Sequence, residues 1–129
     1  MECSKVFTQT KRFLEVIAKE GVVSIVSYDE NEAHVVNTWN SYLVTKDDDK
    51  LLIPAYAMRT TEKKTSVNPK VLLTVGSKEV MGPNPGVGFL MEGTARFVSD
   101  GPDYDLMKEK FSFLTRVLEV TVTSVKRTV

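Results

Sequence analysis

Val35-Val36-Asn37-Thr38-Trp39-Asn40-Ser41-Tyr42-Leu43 is the stretch on which the reading of this chain turns. It holds the only tryptophan, two asparagines, two hydroxyl side chains and a tyrosine, with apolar strand residues on both sides. Polar groups inside a strand are costly to bury unless partners satisfy them. A dense set of them around one indole suits a small site for a flat, polar-edged aromatic molecule. The same residues also suit a hydrogen-bonded strand end around a packed core tryptophan, and the stretch alone leaves both readings open.

Working outward, the flanks read as strands and turns. Val22 to Tyr28 is rich in β-branched residues, and Asp29-Glu30-Asn31-Glu32 is a turn, which predicts a hairpin into Ala33 to Thr38. Ahead of it, Ser4 caps a helix expected to reach about Glu20 and stop at Gly21, with Val6, Thr10, Phe13, Leu14 and Ile17 on one face. After the tryptophan the strand continues or resumes through Ser41 to Thr45. Lys46-Asp47-Asp48-Asp49-Lys50 is then a tight connection to Leu51-Leu52-Ile53. Val71 to Gly76, Phe89 to Val98 and Val117 to Val125 add three strands. A short helix is expected from Thr60 to Val67, closed by Asn68-Pro69, and another from Asp100 to about Phe113. Five or six strands at hairpin spacing with few helices favour an antiparallel barrel over a parallel sheet. The expectation is one domain over residues 1–129, mainly β with α+β character and peripheral helices.

Composition narrows the function. Lysine plus arginine equals aspartate plus glutamate at 17 each, so no global field steers the chain onto nucleic acid. No apolar run has membrane-spanning length, and Met1-Glu2-Cys3-Ser4-Lys5 leads into no signal-type stretch, so a cytoplasmic protein without membrane or nucleic-acid partners is expected. Cys3 is the only cysteine and His34 the only histidine, which excludes an intrachain disulfide, a thiolate cluster and any two-histidine metal motif. Asp47-Asp48-Asp49 lacks the ligand run and closing glutamate of a calcium loop and reads as a solvated turn.

Two segments bear on chemistry. In Pro54-Ala55-Tyr56-Ala57-Met58-Arg59-Thr60-Thr61-Glu62 a strand ends at a proline, and a cation and two hydroxyls stand where a helix begins. Free backbone N–H groups and the positive end of the helix dipole make such a place an anion site, and Arg59 adds a forked donor. An ordinary capping box made by Thr-Thr-Glu is the alternative. Gly82-Pro83-Asn84-Pro85-Gly86-Val87-Gly88-Phe89 lacks the third glycine and the following helix of a dinucleotide fingerprint, and reads as a structured surface loop. No nucleophile elbow is present and no general acid or base stands out, which points to a chain whose reactive atoms belong to a cofactor.

With these segments in order, the chain resembles the small FMN-binding proteins of the split-barrel fold, the group that includes pyridoxamine 5′-phosphate oxidase and flavin reductase-like proteins. The resemblance runs from Glu20-Gly21-Val22-Val23 to the C-terminus. It rests on Val36 to Leu43, on Leu72-Leu73-Thr74-Val75-Gly76-Ser77-Lys78, and on Gly86-Val87-Gly88-Phe89-Leu90 followed by Gly93-Thr94-Ala95. Asn68-Pro69-Lys70-Val71 is similar to the oxidases' Asn-Pro-Arg-Val step.

The resemblance implies an antiparallel split barrel of Greek-key type and a non-covalent FMN. Asn37, Thr38, Trp39, Asn40 and Ser41 would line the flavin and part of its phosphate chain. The backbone of Ala55, Tyr56, Ala57 and Met58 would follow the ring edge, and Arg59, Thr60 and Thr61 would hold the phosphate. It also implies a homodimer with the flavin at the interface, touched by Phe111 and Val129 of the other chain.

Two departures stand out. Relatives commonly carry a lysine where this chain has Thr60, and a small, often glycine-containing segment where it has Tyr56. The tail Ser124-Val125-Lys126-Arg127-Thr128-Val129 lacks the C-terminal tryptophan and arginine pattern of the pyridoxamine phosphate oxidases, so that reaction is disfavoured. What remains is electron transfer or an FMN-dependent oxidoreductase, with a redox protein or a nicotinamide nucleotide as electron donor. The alternative is a non-catalytic flavin, haem or small-molecule binding or storage module on the same barrel.

Overall fold

Alternation of buried and outward side chains builds the first hairpin in the computed structural model, which describes residues 11–82 and 85–128. In β1 (Val22–Tyr28) Val23, Ile25 and Ser27 are buried, and β2 (Ala33–Trp39) pairs with it along its whole length, from Val22 opposite Trp39 to Tyr28 opposite Ala33. The turn between them is made by Asp29, whose carboxylate accepts the N–H groups of Asn31 at 2.8 Å and Glu32 at 3.2 Å, and a bond from Lys64 Nζ at 3.0 Å. The Asn31 N–H first, then Lys64 and the Glu32 N–H, hold the Asp29 carboxyl down at about 2 from its usual 3.8.

An acid held down in the folded state stabilises it above the unfolded value and loses that contribution as pH falls through the folded one. Asp29→Asn should therefore be less stable than wild type at neutral pH, and the gap should close between pH 3.8 and about 2. Urea midpoints taken across that range check this; a gap constant with pH would contradict it.

The remaining elements are α1 (Lys11–Ile17), a single 3₁₀ turn (Asn40–Tyr42), β3 (Val44–Lys46), β4 (Lys50–Ala55), α2 (Arg59–Val67), β5 (Lys70–Met81), β6 (Pro85–Val98), α3 (Pro102–Lys110) and β7 (Arg116–Arg127). The strands form one antiparallel sheet of seven in the order β2-β1-β5-β6-β7-β4-β3. Its two edge strands are consecutive in the chain. Six strand spacings of about 4.8 Å would separate them by about 29 Å in a flat sheet, whereas the step from Trp39 to Val44 reaches about 17 Å at most. The sheet must therefore curl until its edges approach each other.

The concave side encloses the larger core, including Phe13, Val16, Val23, Ile25, Ile53, Leu73, Met91 and Leu118, with α1 packed against β5 and β6. On the opposite side of β4 and β7, α3 covers a smaller core of Leu52, Met107, Leu114 and Val117.

Asn40 ties this arrangement together. It is fully buried, and its Nδ2 lies 3.1 Å from the carbonyl of Val16, 3.0 Å from that of Lys19 and 3.1 Å from that of Gly76. One amide thus joins the end of α1, the entry to β1 and the middle of β5. Gly21 makes room for it: a Cβ there would lie 2.1 Å from the Gly76 carbonyl and 2.6 Å from Asn40 Nδ2.

Several expectations need correction. Ser41 to Thr45 is no continuous strand, because Asn40 turns the chain into the 3₁₀ segment and β3 starts only at Val44. Pro54 lies within β4, opposite Val117, where β3 no longer pairs and a missing N–H breaks no ladder. The glycine- and proline-rich stretch is largely strand: β5 and β6 stay paired out to Met81 opposite Pro85. In α1 the buried pair is Phe13 and Val16 while Leu14 is exposed; α1's expected start at Ser4, with Val6 and Thr10, lies outside the described residues.

Candidate functional site

The most distinctive local geometry lies between β4 and α2. Ala55 ends β4 fully buried, with its carbonyl accepting the backbone N–H of Thr115 at 2.9 Å and the Thr115 hydroxyl at 3.3 Å. The chain then leaves the sheet through two consecutive left-handed residues that are not glycine, Ala57 at φ 64° and Met58 at φ 50°. Each such residue costs about 1–3 kcal/mol and persists only where its surroundings over-determine it. Here the surroundings include Arg116 at the start of β7, which donates from Nη2 to the Ala57 carbonyl and from Nε to Glu62 Oε1 at 2.9 Å.

Met58 is the residue before α2 and offers no side-chain cap to its first turn. The capping box open to Thr60, Thr61 and Glu62 is absent, because Glu62 reaches Arg116 instead. A left-handed residue followed by right-handed ones turns successive N–H groups toward a common side, and the helix dipole adds positive potential there. Thr61 in that turn is fully buried and its Oγ1 has no partner, an arrangement worth about 1–3 kcal/mol to whatever satisfies it. Arg59 is exposed and makes no ion pair among the described residues. Tyr56, Ala57, Arg59, Thr115 and Arg116 line a cleft of about 620 Å³ at this place. Uncapped donors and two guanidinium groups at one cleft fit an anion such as a phosphate monoester; the buried Thr61 hydroxyl lies in the same helical turn but does not line the cleft.

The Asn37 to Ser41 stretch does not converge on a single point. Strand alternation turns Thr38 inward and buries it, while Asn37 and Trp39 face outward. Asn37 donates from Nδ2 to Ser24 Oγ at 3.1 Å. Trp39 is 48% exposed beside its cross-strand neighbour Val22, so the packed-core reading of the indole fails. Asn40 and Ala55 are both fully buried: the Asn40 Nδ2 and the Ala55 carbonyl make the scaffold contacts described above, while Asn40 Oδ1 has no partner. Ser41 is exposed on the 3₁₀ turn. Tyr42 clusters with Phe111 at 5.3 Å and Phe113 at 5.6 Å between ring centroids. Val129 lies outside the described residues.

Trp39 also does not line the cleft. It stands at the end of β2 remote from the turn gripped by Lys64 of α2, about 20 Å along the strand. Reading the sequence missed Thr115, Arg116 and the exposed ring of Phe113. Nothing local marks Arg116; only the register that sets it opposite Ala55 brings it to the site.

Comparison with known proteins bears on the same stretches. The chain is 41% identical over 117 residues to the FMN-binding protein of Nitratidesulfovibrio vulgaris (strain DSM 19637 / Miyazaki F), covering 90% of this chain and 95% of that one. Among solved structures, HupZ of Group A Streptococcus superposes with a TM-score of 0.77 over 92% of each chain at 15% identity. An FMN-binding protein from Syntrophomonas wolfei subsp. wolfei superposes with a TM-score of 0.68 over 83% of this chain and 76% of that one at 14% identity. At such identities the two superpositions speak to the fold alone. The model of the pyridoxamine 5′-phosphate oxidase family matches residues 9–128, which span every described strand and helix, and the chain belongs to that family.

Proposed function

We propose that this chain is a flavoprotein that binds FMN non-covalently, with its phosphate at the start of α2 and its ring along the β2 edge of a split barrel. The observation that carries the reading is the uncapped, left-handed entry to α2, where the buried Thr61 hydroxyl lacks a partner and Arg59 and Arg116 stand at the cleft mouth. The 41% identical relative named as an FMN-binding protein supports it. The backbone N–H groups of Arg59, Thr60 and Thr61 and the Arg59 side chain would hold the phosphate. Asn37, Thr38, Trp39 and Ser41 would meet the ribityl chain and ring, and the segment from Tyr56 to Met58 would close the ring edge. When bound, the flavin supplies hydride and single-electron transfer, while the chain fixes its position and surroundings.

The role that follows is electron transfer or an FMN-dependent oxidoreductase reaction in the cytoplasm, with a redox protein or a nicotinamide nucleotide as donor. A homodimer completes the site. Val22, Val35 and Trp39 are all about half exposed on the outward face of the β1–β2 hairpin, and Phe113 is exposed beside Phe111. A second copy is a fitting cover for such apolar surface.

Purified protein should release FMN on acid treatment, identified by chromatography, and should sediment at twice the 14.4 kDa chain mass. Release of FAD, a colourless protein, or a stable monomer with full flavin content would contradict the proposal. Trp39→Leu should leave the denaturation midpoint almost unchanged, since the indole is half exposed, and should raise the emission of bound flavin. A stability loss of about 3–5 kcal/mol, as for a buried aromatic, with unaltered emission would make the tryptophan scaffold instead.

A further inference from the structure

We propose that Arg116 is a positioning and specificity residue of the anion site, setting the chain's preference for a phosphorylated ligand over the same ligand without its phosphate. The inference rests on the reading that the cleft before α2 takes the FMN phosphate. Three observations carry it. The Arg116 side chain is 15% exposed, and it is gripped on every nitrogen: Nε by Glu62 Oε1 at 2.9 Å, Nη1 by Thr115 Oγ1 at 3.2 Å, and Nη2 by the Ala57 carbonyl. Its guanidinium carbon lies 5.2 Å from the centroid of the Phe97 ring, which fixes the plane of the fork from a further direction. And the same side chain lines the cleft with Arg59.

Each contact has a consequence for an anion. Holding the Ala57 carbonyl stabilises the left-handed step that turns the N–H groups of α2 toward the cleft. Pairing with Glu62 cancels a carboxylate in the first turn of α2, where an uncompensated negative charge would repel a phosphate. A guanidinium has five N–H donors and three are engaged, so two remain on a group that already faces the cleft. Thr61, one residue before Glu62, is buried with its hydroxyl unpartnered, although it does not line the cleft.

The test compares FMN with riboflavin on apoprotein of wild type, Arg116→Ala, Arg116→Lys and Glu62→Gln, at low and moderate salt. Arg116→Ala should lower the ratio of FMN to riboflavin affinity by about tenfold or more, and the loss should shrink as salt rises. Arg116→Lys should recover part of the ratio, since it keeps the charge and loses the fork. Glu62→Gln removes the opposing charge and frees the guanidinium, so it should raise the ratio a few-fold. This last variant tests the proposal even if Arg116→Ala does not fold.

A merely structural Arg116–Glu62 pair predicts that both ligands weaken together in all three variants and that Glu62→Gln does not raise the ratio; that result would overturn the proposal. If Arg59→Ala with Thr61→Ala changes the ratio while the Arg116 and Glu62 variants do not, the site reading stands and the Arg116 inference fails. If none of the variants changes it, both fail.

Discussion

Asn40→Asp should leave the chain unfolded or destabilised by about 3–5 kcal/mol, the range for an uncompensated buried charge. The substitution is nearly isosteric. What changes is the sign of the group: an amide that donates toward the carbonyls of Val16, Lys19 and Gly76 becomes a carboxylate facing three acceptors. Asn40→Ala removes the donor without adding charge and should cost less. Urea unfolding of both variants, followed by far-UV circular dichroism, checks the order. A stable Asn40→Asp protein with native spectra would show that the junction of α1, β1 and β5 does not depend on this amide.

The second large effect is expected at the mouth of the cleft. Arg59→Ala combined with Thr61→Ala removes the exposed guanidinium and the orphaned hydroxyl from the first turn of α2. Charge-assisted hydrogen bonds contribute about 1.5–3 kcal/mol each, so FMN affinity should fall by about tenfold or more for each bond lost. Riboflavin affinity should change far less. No protein hydrogen bond is lost with the Thr61 hydroxyl, so the stability cost should be about 0.8 kcal/mol, that of its buried methyl. Titration of apoprotein with both ligands measures the difference; an equal loss for the two would place the phosphate elsewhere.

How legible these features are depends on how local their causes are. β1 runs from Val22 to Tyr28 as read, because period-two alternation of β-branched residues and the Asp29 turn both lie within a few residues. α2 was legible at both ends for the same reason, with Asn68-Pro69 as its stop. The 3₁₀ turn at Asn40 was not, since the acceptor that helps fix it, Gly76, is 36 residues away. The lengths of β5 and β6 were underestimated because glycine and proline signal a break, whereas the hairpin continues through them by cross-strand pairing.

Within the site, Arg59 to Thr61 read as an anion position or a capping box from a strand end followed by a helix start, and only the capping box is decided, by Glu62 reaching Arg116. Arg116, 57 residues beyond Arg59, enters only through the β4–β7 register. The stretch left the tryptophan open between a ligand-lining ring and a packed core residue, and its 48% exposure speaks against the core. Its neighbour Asn40 shows that a polar residue next to an indole looks the same in sequence whether it serves a ligand or the scaffold: only the fold reveals the three carbonyls around its Nδ2.

The left-handed entry to α2 is the proposed seat of the phosphate of a bound flavin. A crystal structure of the FMN complex tests it most directly, through the position of the phosphorus atom. The account expects phosphate oxygens within hydrogen-bonding distance of the backbone N–H groups of Arg59, Thr60 and Thr61 and of the Thr61 hydroxyl, with Ala57 and Met58 still left-handed. A phosphate bound away from α2, with the Thr61 hydroxyl still unpartnered, would contradict it.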